Sequence, residues 1–146
     1  MIEVEIEDPA WLEALPDAEA LCIAAGERAL EMADWEGAAV VLLTDDDTVH
    51  DLNARYRHKD KPTNVLSFPA PPNPDGHLGD IALAYGVCVR EAAEQGKSVA
   101  DHLLHLTAHG VLHLIGHDHE VDADAELMEA LERRILASLG VADPYA

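Results

Sequence analysis

Residues 109–119 read HGVLHLIGHDH, and this stretch carries the pattern that predicts both the fold and the chemistry. His109 and His113 stand four residues apart, so on a helix they share one face and direct both imidazoles at one point. Gly116 is suited to end that helix and let the chain turn back, which would bring His119 to the same point. The stretch therefore predicts a helix with two histidine ligands, followed by a turn that supplies a third.

The three histidines favour a catalytic over a structural zinc site. Three neutral imidazoles leave a fourth coordination position open, whereas structural sites usually close with four protein ligands, often cysteines. The cysteines, Cys22 and Cys88, lie outside the stretch and form no Cys-x-x-Cys pair. We therefore predict one zinc ion per chain, bound by His109, His113 and His119.

Four neighbouring residues have roles that the sequence leaves open. His102 and His105 precede His109 by one to two turns, partly on the same face. They either orient a ligand histidine from outside the coordination sphere or are core or surface residues. His117 is interpreted as a solvated turn residue. Asp118 is a candidate general base; alternatively, it hydrogen-bonds a ligand histidine or caps the turn.

The ligand spacing matches the long zinc motif of the metzincin peptidases, H-x-x-x-H-x-x-G-x-x-H. Those enzymes carry a glutamate directly after the first histidine, where it acts as the general base. Here that position holds Gly110. The ligand frame is zincin-like, but a peptidase of that design would lack its base.

The rest of the chain predicts a single α+β domain over residues 1–146. Residues 2–6 alternate apolar and acidic side chains, which is typical of a half-buried strand. Further strands are predicted at 40–43, 65–68 and 81–84, and helices at about 16–33, 44–56, 87–95, 98–115 and 122–139. The segment 69–76 is too rich in proline and glycine to be anything but a loop. We expect a small mixed four-stranded sheet packed with about five helices, one of them the zinc helix.

Two short patterns mark helix ends. The acidic run 45–47 could suggest a cation site, but acids at a helix start cap free N–H groups and complement the helix dipole. We interpret the run as a cap. Gly140 stands where a left-handed residue is expected to end the last helix.

The charge of the chain bears on its partners. Twenty-nine acidic and nine basic residues give a formal net charge of −20, which repels nucleic acid at long range. Four of the nine basic residues nevertheless fall within seven positions: Arg55, Arg57, Lys59 and Lys61. By pattern alone, this basic segment is either the solvated end of a helix or a binding patch.

Export and membrane insertion are not predicted. The N-terminal MIEVEIEDPAWLEAL lacks the basic flank and unbroken apolar stretch of a signal peptide. No apolar run approaches the roughly 20 residues that a membrane helix needs. Cys22 and Cys88 are expected to be buried thiols, as in a reducing compartment. A soluble, cytoplasmic protein is therefore expected.

With glycine in place of the glutamate, the histidine stretch resembles the signature of the YbeY family of bacterial endoribonucleases that mature ribosomal RNA. Other segments resemble the family's further blocks: Leu52-Asn53 with Tyr56-Arg57 and then KDKPTNVLSFP (59–69), Gly79-Asp80-Ile81, and the acidic helix 126–134 followed by Asp143-Pro144-Tyr145. These segments occur in the expected order and span most of the chain beyond about Leu42. His117 departs from the family, in which a tyrosine is common at that position.

The resemblance implies an endoribonuclease that acts on single-stranded RNA in ribosomal RNA maturation, including the 3′ end of 16S rRNA, and in ribosome quality control. It implies zinc at the three histidines, and a ribosomal protein or a ribosome-associated GTPase as a partner. Arg57 takes the position of an arginine that is proposed to contact the RNA backbone. A planar guanidinium suits a phosphate that gains charge in the transition state.

Two other functions stay open at this point. One is a zinc hydrolase of another class, such as a peptidase, against which Gly110 counts. The other is a ribosome-assembly factor whose zinc is structural. The acidic charge favours the assembly factor, because its RNA contact would depend on a protein partner.

Overall fold

The computed structural model describes residues 1–117 and 121–145. Its strands are β1 (Ile2–Ile6), β2 (Ala38–Thr44), β3 (Val65–Pro69) and β4 (His77–Ala84). Its helices are α1 (Ala10–Ala14), α2 (Ala18–Met32), α3 (Asp46–Arg57), α4 (Tyr85–Glu94), α5 (Val99–Leu114) and α6 (Asp122–Ser138). The predicted α+β class is confirmed, and the short α1 is the helix that the sequence pattern did not predict. Within the described residues, no helix is long and apolar enough to cross a membrane.

The four strands form one mixed sheet in the order β1-β2-β4-β3. β1, β2 and β4 run parallel, while β3 is antiparallel to β4. The inner strand β2 is almost wholly apolar (AAVVLLT), as expected for a strand with parallel neighbours on both sides. β3 ends in Pro69, which an edge strand tolerates because proline cannot donate to the ladder.

Helix α5 lies at the centre of the molecule and carries the histidine stretch. It packs against α2, α4, α6 and the sheet. Leu103, Val111 and Leu112 are fully buried in the main core, and each such side chain stabilises the fold by about 1.5–3 kcal/mol. This packing holds His109 and His113, in the last two turns of α5, in a fixed place relative to the sheet.

Gly110 lets α5 approach the sheet closely. A Cβ atom at this position would lie 3.0 Å from Cγ2 of Ile81 on β4. The Gly110 carbonyl accepts a hydrogen bond of 3.1 Å from the Ser67 hydroxyl on β3. The position at which metzincins carry their catalytic glutamate therefore faces the sheet of this protein.

The helix ends follow the predicted patterns. Asp45 caps α3, because its Oδ1 accepts a hydrogen bond of 2.7 Å from the Thr48 amide. That contact lowers the pKa of Asp45, and the capping interpretation of the acidic run is confirmed. Gly116 and Gly140 adopt φ angles of 103° and 79° just after α5 and α6, conformations that L-residues with a Cβ rarely adopt.

The two cysteines are buried and free, as predicted. Burial raises the pKa of Cys22 to about 12; the hydrogen bond that the Thr107 hydroxyl donates to its sulfur lowers the pKa slightly, and the nearby Glu19 charge raises it slightly. Burial likewise raises the pKa of Cys88. Both side chains are therefore protonated thiols at neutral pH.

Candidate metal centre and cleft

The structure places His109 and His113 side by side at the end of α5. Their Nε2 atoms lie 3.1 Å apart. Two nitrogens bound to one tetrahedral zinc, each at about 2.0–2.1 Å, would lie about 3.3 Å apart. The spacing of this pair is thus close to that of two ligands of one ion. His119 and Asp118 lie outside the described residues, so their assigned roles stay predictions.

The other nitrogen of His109 faces a buried carboxylate. Nδ1 of His109 lies 2.6 Å from Oε1 of Glu132 on α6, whose side chain is fully buried. Burial by itself would raise the pKa of Glu132. Hydrogen bonds from His105 and His109, the His109 charge and a hydrogen bond from Tyr145 outweigh burial and lower the pKa to about 2.

The ionised Glu132 determines the tautomer of His109. A carboxylate can only accept hydrogen bonds, so Nδ1 of His109 carries the proton and donates it. The His109 charge that lowers the Glu132 pKa belongs to the doubly protonated ring; in the neutral ring, the form that binds a metal, the proton stays on Nδ1 and the lone pair lies on Nε2. The nitrogen that faces His113 is therefore the one able to bind a metal.

Among the described residues, one further grouping could hold a metal ion. Ligand atoms of His105, His109 and Glu132 all lie within 4.8 Å of one another. The 2.6 Å between His109 and Glu132 is a hydrogen-bond distance, and it is shorter than the roughly 3.3 Å between two ligands of one zinc. We therefore interpret Glu132 as the partner that orients His109, although the three residues together remain able to attract a cation.

The two histidines that precede His109 have different surroundings. His102 is a core residue: it is 2% exposed, and its Nε2 lies 2.9 Å from Oε1 of Glu91. Burial lowers the pKa of His102 despite this contact, which by itself raises it. Nε2 of His105 lies 3.4 Å from Oε1 of Glu132 and 3.4 Å from the Tyr145 hydroxyl oxygen. His105 thus belongs to the surroundings of the candidate site.

A cleft of about 610 Å³ opens beside the histidine pair. Its described lining residues come from α3, the segment 59–64, β3 and the end of α5: Asn53, Arg57, Lys59, Lys61, Thr63, Asn64, Val65, Leu66, Ser67, Pro69, His109, His113, Gly116 and His117. Three of them are cations, and no carboxylate is among them. His117 is half-buried in this wall, whereas the sequence had suggested a solvated turn residue.

The basic segment divides between the cleft and the outer surface. Arg55 forms an ion pair of 3.1 Å with Asp51, one turn earlier on α3. Arg57, in contrast, donates a short hydrogen bond to the Ser67 carbonyl, and its guanidinium carbon lies 5.7 Å from the centre of the Phe68 ring. No described carboxylate forms an ion pair with Arg57. Its guanidinium is therefore held by neutral groups beside the histidine pair.

Asn53 holds the rest of the basic segment in place. Its buried side-chain amide donates a hydrogen bond of 2.9 Å to the Lys61 carbonyl. Its backbone carbonyl accepts one of 3.1 Å from the Lys59 amide. These contacts fold the chain back after α3, so that both lysines line the cleft.

Sequence reasoning missed Glu132. It is one of twenty-nine acidic residues, and it lies in the acidic helix 126–134, which resembles a family block as a whole without marking Glu132 for a role. One signal was available, because Glu132 lies four residues after Met128 and four before Leu136, both buried on α6. An acidic residue within the apolar stripe of a helix indicates a buried charge with a partner, since an unpaired one is too costly.

Comparison with known proteins shows the family of this chain. The family model described as Endoribonuclease YbeY matches residues 17–140. The Endoribonuclease YbeY of Paramagnetospirillum magneticum is 49% identical, over 99% of this chain and 94% of that protein. The Endoribonuclease YbeY of Novosphingobium aromaticivorans is also 49% identical, over 100% of this chain and 96% of that protein.

A solved structure has the same fold. The solution structure of TM1509 from Thermotoga maritima matches with a TM-score of 0.59 and covers 96% of this chain and 92% of that one. At 22% identity, that likeness concerns the fold alone. The family assignment rests instead on the matching model and on relatives that are about half identical over nearly the whole chain. This chain belongs to the endoribonuclease YbeY family.

Proposed function

We propose that this protein is a zinc-dependent endoribonuclease that cleaves single-stranded RNA during ribosomal RNA maturation, including the 3′ end of 16S rRNA, and in ribosome quality control. Family membership supports the endoribonuclease activity. One observation supports RNA as the ligand of the cleft. In a chain of net charge −20, the described cleft wall beside the histidine pair carries three cations and no carboxylate.

The donor set fits a zinc ion. His109 and His113, with His119 as the predicted third ligand, would hold it, and Glu132 fixes the proton of His109 on Nδ1. A bound zinc supplies Lewis acidity toward a water molecule or a phosphate oxygen. The hydrogen bond to Glu132 keeps the His109 ring oriented and makes its Nε2 more basic.

Arg57 is the residue proposed to stabilise the reacting phosphate. One of its N–H groups is engaged by the Ser67 carbonyl. The guanidinium has five N–H donors, so others remain for phosphate oxygens. Lys59 and Lys61 are placed to contact neighbouring phosphates of a single strand. Asp118 is kept as the candidate general base.

The acidity of the chain supports a protein partner. Outside the cleft, the excess of acidic residues repels RNA at long range. A ribosomal protein or a ribosome-associated GTPase that brings the enzyme to its RNA would offset this repulsion. The charge also supports the second candidate function, a ribosome-assembly factor with a structural zinc. A peptidase is disfavoured, because Gly110 faces Ile81 and leaves no place for the metzincin base.

Cleavage assays with protein of known zinc content test this proposal. We expect the wild type to carry one zinc per chain, to cut single-stranded RNA and to leave casein intact. His113→Ala loses a proposed ligand and is expected to lose both zinc and RNA cleavage. His77→Ala is the matched control, since His77 lies on β4 and contacts Asp80 at 3.5 Å.

Each contrary result has a defined meaning. Full zinc occupancy in His113→Ala would overturn the three-histidine site. A zinc-loaded wild type that does not cut RNA would favour the assembly factor. Strong casein cleavage would favour the peptidase.

A further inference from the structure

The segment that follows α6 folds back toward the metal helix and is held by a short chain of polar contacts. Nε of Arg133 donates to both carboxylate oxygens of Asp143, at 3.2 and 3.1 Å. Oδ1 of Asp143 also accepts a hydrogen bond of 2.8 Å from the Tyr145 amide. The guanidinium carbon of Arg133 lies 5.3 Å from the centre of the Tyr145 ring. Together these contacts fix the position of Tyr145.

From this position, Tyr145 reaches the carboxylate that orients His109. Its hydroxyl donates a hydrogen bond of 2.6 Å to Oε2 of Glu132. The other oxygen, Oε1, lies 2.6 Å from Nδ1 of His109. Each oxygen of the buried carboxylate therefore has its own close donor. Donors on both oxygens fix the plane of the carboxylate, whereas without the tyrosine donor the contacts from His109 and His105 are both on Oε1.

We propose that Tyr145 is a positioning residue of the metal site, which tightens metal binding by fixing the Glu132 carboxylate and, through it, the ring of His109. The inference rests on the proposed ligation of zinc by His109. Tyr145 acts through Glu132 and contacts none of the reacting atoms. Its ring also packs nearly perpendicular to the His105 ring, with ring centres 5.6 Å apart. This packing restricts movement of the Tyr145 side chain.

Removing the hydroxyl tests this role without removing the ring. In Tyr145→Phe, the ring packing on His105 and Arg133 stays, but Oε2 of Glu132 loses the donor at 2.6 Å and Nε2 of His105 loses its 3.4 Å contact with the hydroxyl. Loss of an outer partner of a metal ligand typically weakens metal binding by about 10–100-fold. Tyr145 is one contact further from the metal than Glu132, so we expect the lower end of this range: the zinc Kd of the Tyr145→Phe protein should rise by about 10-fold.

The measurement is zinc affinity by competition with a chromophoric chelator, on the full chain and without RNA. Tyr85→Phe is the matched control, because Tyr85 packs on Trp11 with ring centres 5.2 Å apart, at the start of α4. We expect the control to bind zinc as the wild type does. Cobalt(II) loading adds a spectroscopic measurement: we expect the visible bands to shift in Tyr145→Phe and to stay in Tyr85→Phe.

A double-mutant cycle tests whether the effect passes through Glu132. In a Glu132→Gln background, Tyr145→Phe is expected to change zinc affinity by less than about twofold, because the two residues act as one unit. Equal effects of Tyr145→Phe in both backgrounds would overturn the proposal. Zinc affinity and cobalt bands of Tyr145→Phe that match the wild type would also overturn it.

Zinc affinity and RNA cleavage of the wild type separate the metal site from the endoribonuclease activity. A wild type with no zinc affinity would overturn the zinc site and this proposal together. A wild type with tight zinc binding but no RNA cleavage would overturn the endoribonuclease assignment only, and the tyrosine effect on zinc would still be expected.

Discussion

Salt is expected to weaken the binding of single-stranded RNA only modestly. The described cleft wall offers three cations, Arg57, Lys59 and Lys61. For single strands, the logarithm of the binding constant falls with the logarithm of salt concentration with a slope of about −0.7 per neutralised phosphate. Three phosphates give a slope of about −2, so affinity would fall about 20-fold between about 50 and 200 mM salt.

Because of the net charge of −20, a slope of about −2 is the steepest that three phosphate contacts would give. Salt screens the repulsion between the acidic surface and the RNA, which opposes the loss of cleft contacts. Lys59→Ala or Lys61→Ala each removes one phosphate contact, and we expect each to make the slope shallower by about 0.7. Lys97→Ala is the matched control, because Lys97 is the chain's remaining lysine and does not line the cleft.

Fluorescence anisotropy of a labelled single-stranded RNA across a salt series measures this slope, with a gel to verify that the RNA stays intact. A slope steeper than about −4 would refute the reasoning, because it requires about six phosphate contacts. RNA binding would then use a basic surface other than this cleft wall. Unchanged slopes in both cleft-lysine variants would refute it as well.

Arg57→Lys keeps the charge but loses the planar fork of N–H donors, so RNA cleavage is expected to fall about 10-fold. Arg57→Glu is expected to reduce cleavage by at least about 100-fold. Zinc content is expected to stay unchanged in both variants, and the free energy of unfolding to fall only by about 0.5–1.5 kcal/mol, for the lost hydrogen bond to Ser67. Gly110→Glu is expected to leave casein intact and to lower the melting midpoint. The new side chain would clash with Ile81, and overpacking of this kind costs about 1–3 kcal/mol of stability. The raised pKa values and burial of Cys22 and Cys88 predict slow reaction with a thiol reagent in the native protein and fast reaction of both thiols in denaturant.

The predictions for Arg57, Gly110 and the two cysteines each have a control or a result that would contradict them. Arg55→Lys is the control for Arg57→Lys, because Arg55 pairs with Asp51 on the outer surface. Equal RNA cleavage by Arg55→Lys and Arg57→Lys would remove Arg57 from the site. Casein cleavage by a folded Gly110→Glu protein would contradict the orientation of that position. Fast reaction of either native thiol would show that its burial is wrong.

Most helices and strands could be predicted from the sequence, because they depend on local periodicity. The errors arose where contacts between distant parts of the chain set the bounds of an element or stabilised it. β4 begins at His77, four residues before the predicted start, because Gly79 and Asp80 pair with both β2 and β3 although glycine and aspartate disfavour strands. The short α1 was missed because it is stabilised by the burial of Trp11, whose indole donates to the Thr44 carbonyl at 3.0 Å.

In the candidate site, too, local spacing was predictable from the sequence and non-local packing was not. A spacing of four residues is a property of one helix, so the sequence alone brings His109 and His113 to one face. Which cations face the cleft depended on the fold. Arg55 and Arg57 are two residues apart, yet only Arg57 lines the cleft, because helical rotation and the folded-back segment after α3 separate their surroundings.

By itself, the sequence determined the histidine helix, the α+β class and the resemblance to a family, because each depends on residues that are close together or on motifs in order. Only the tertiary structure decided that Glu132 faces His109 from 23 residues away and that Gly110 faces the sheet. Both depend on how α6 and β4 pack against α5. That packing is selected by the burial of apolar surface across the whole core, and no local period of the chain encodes it.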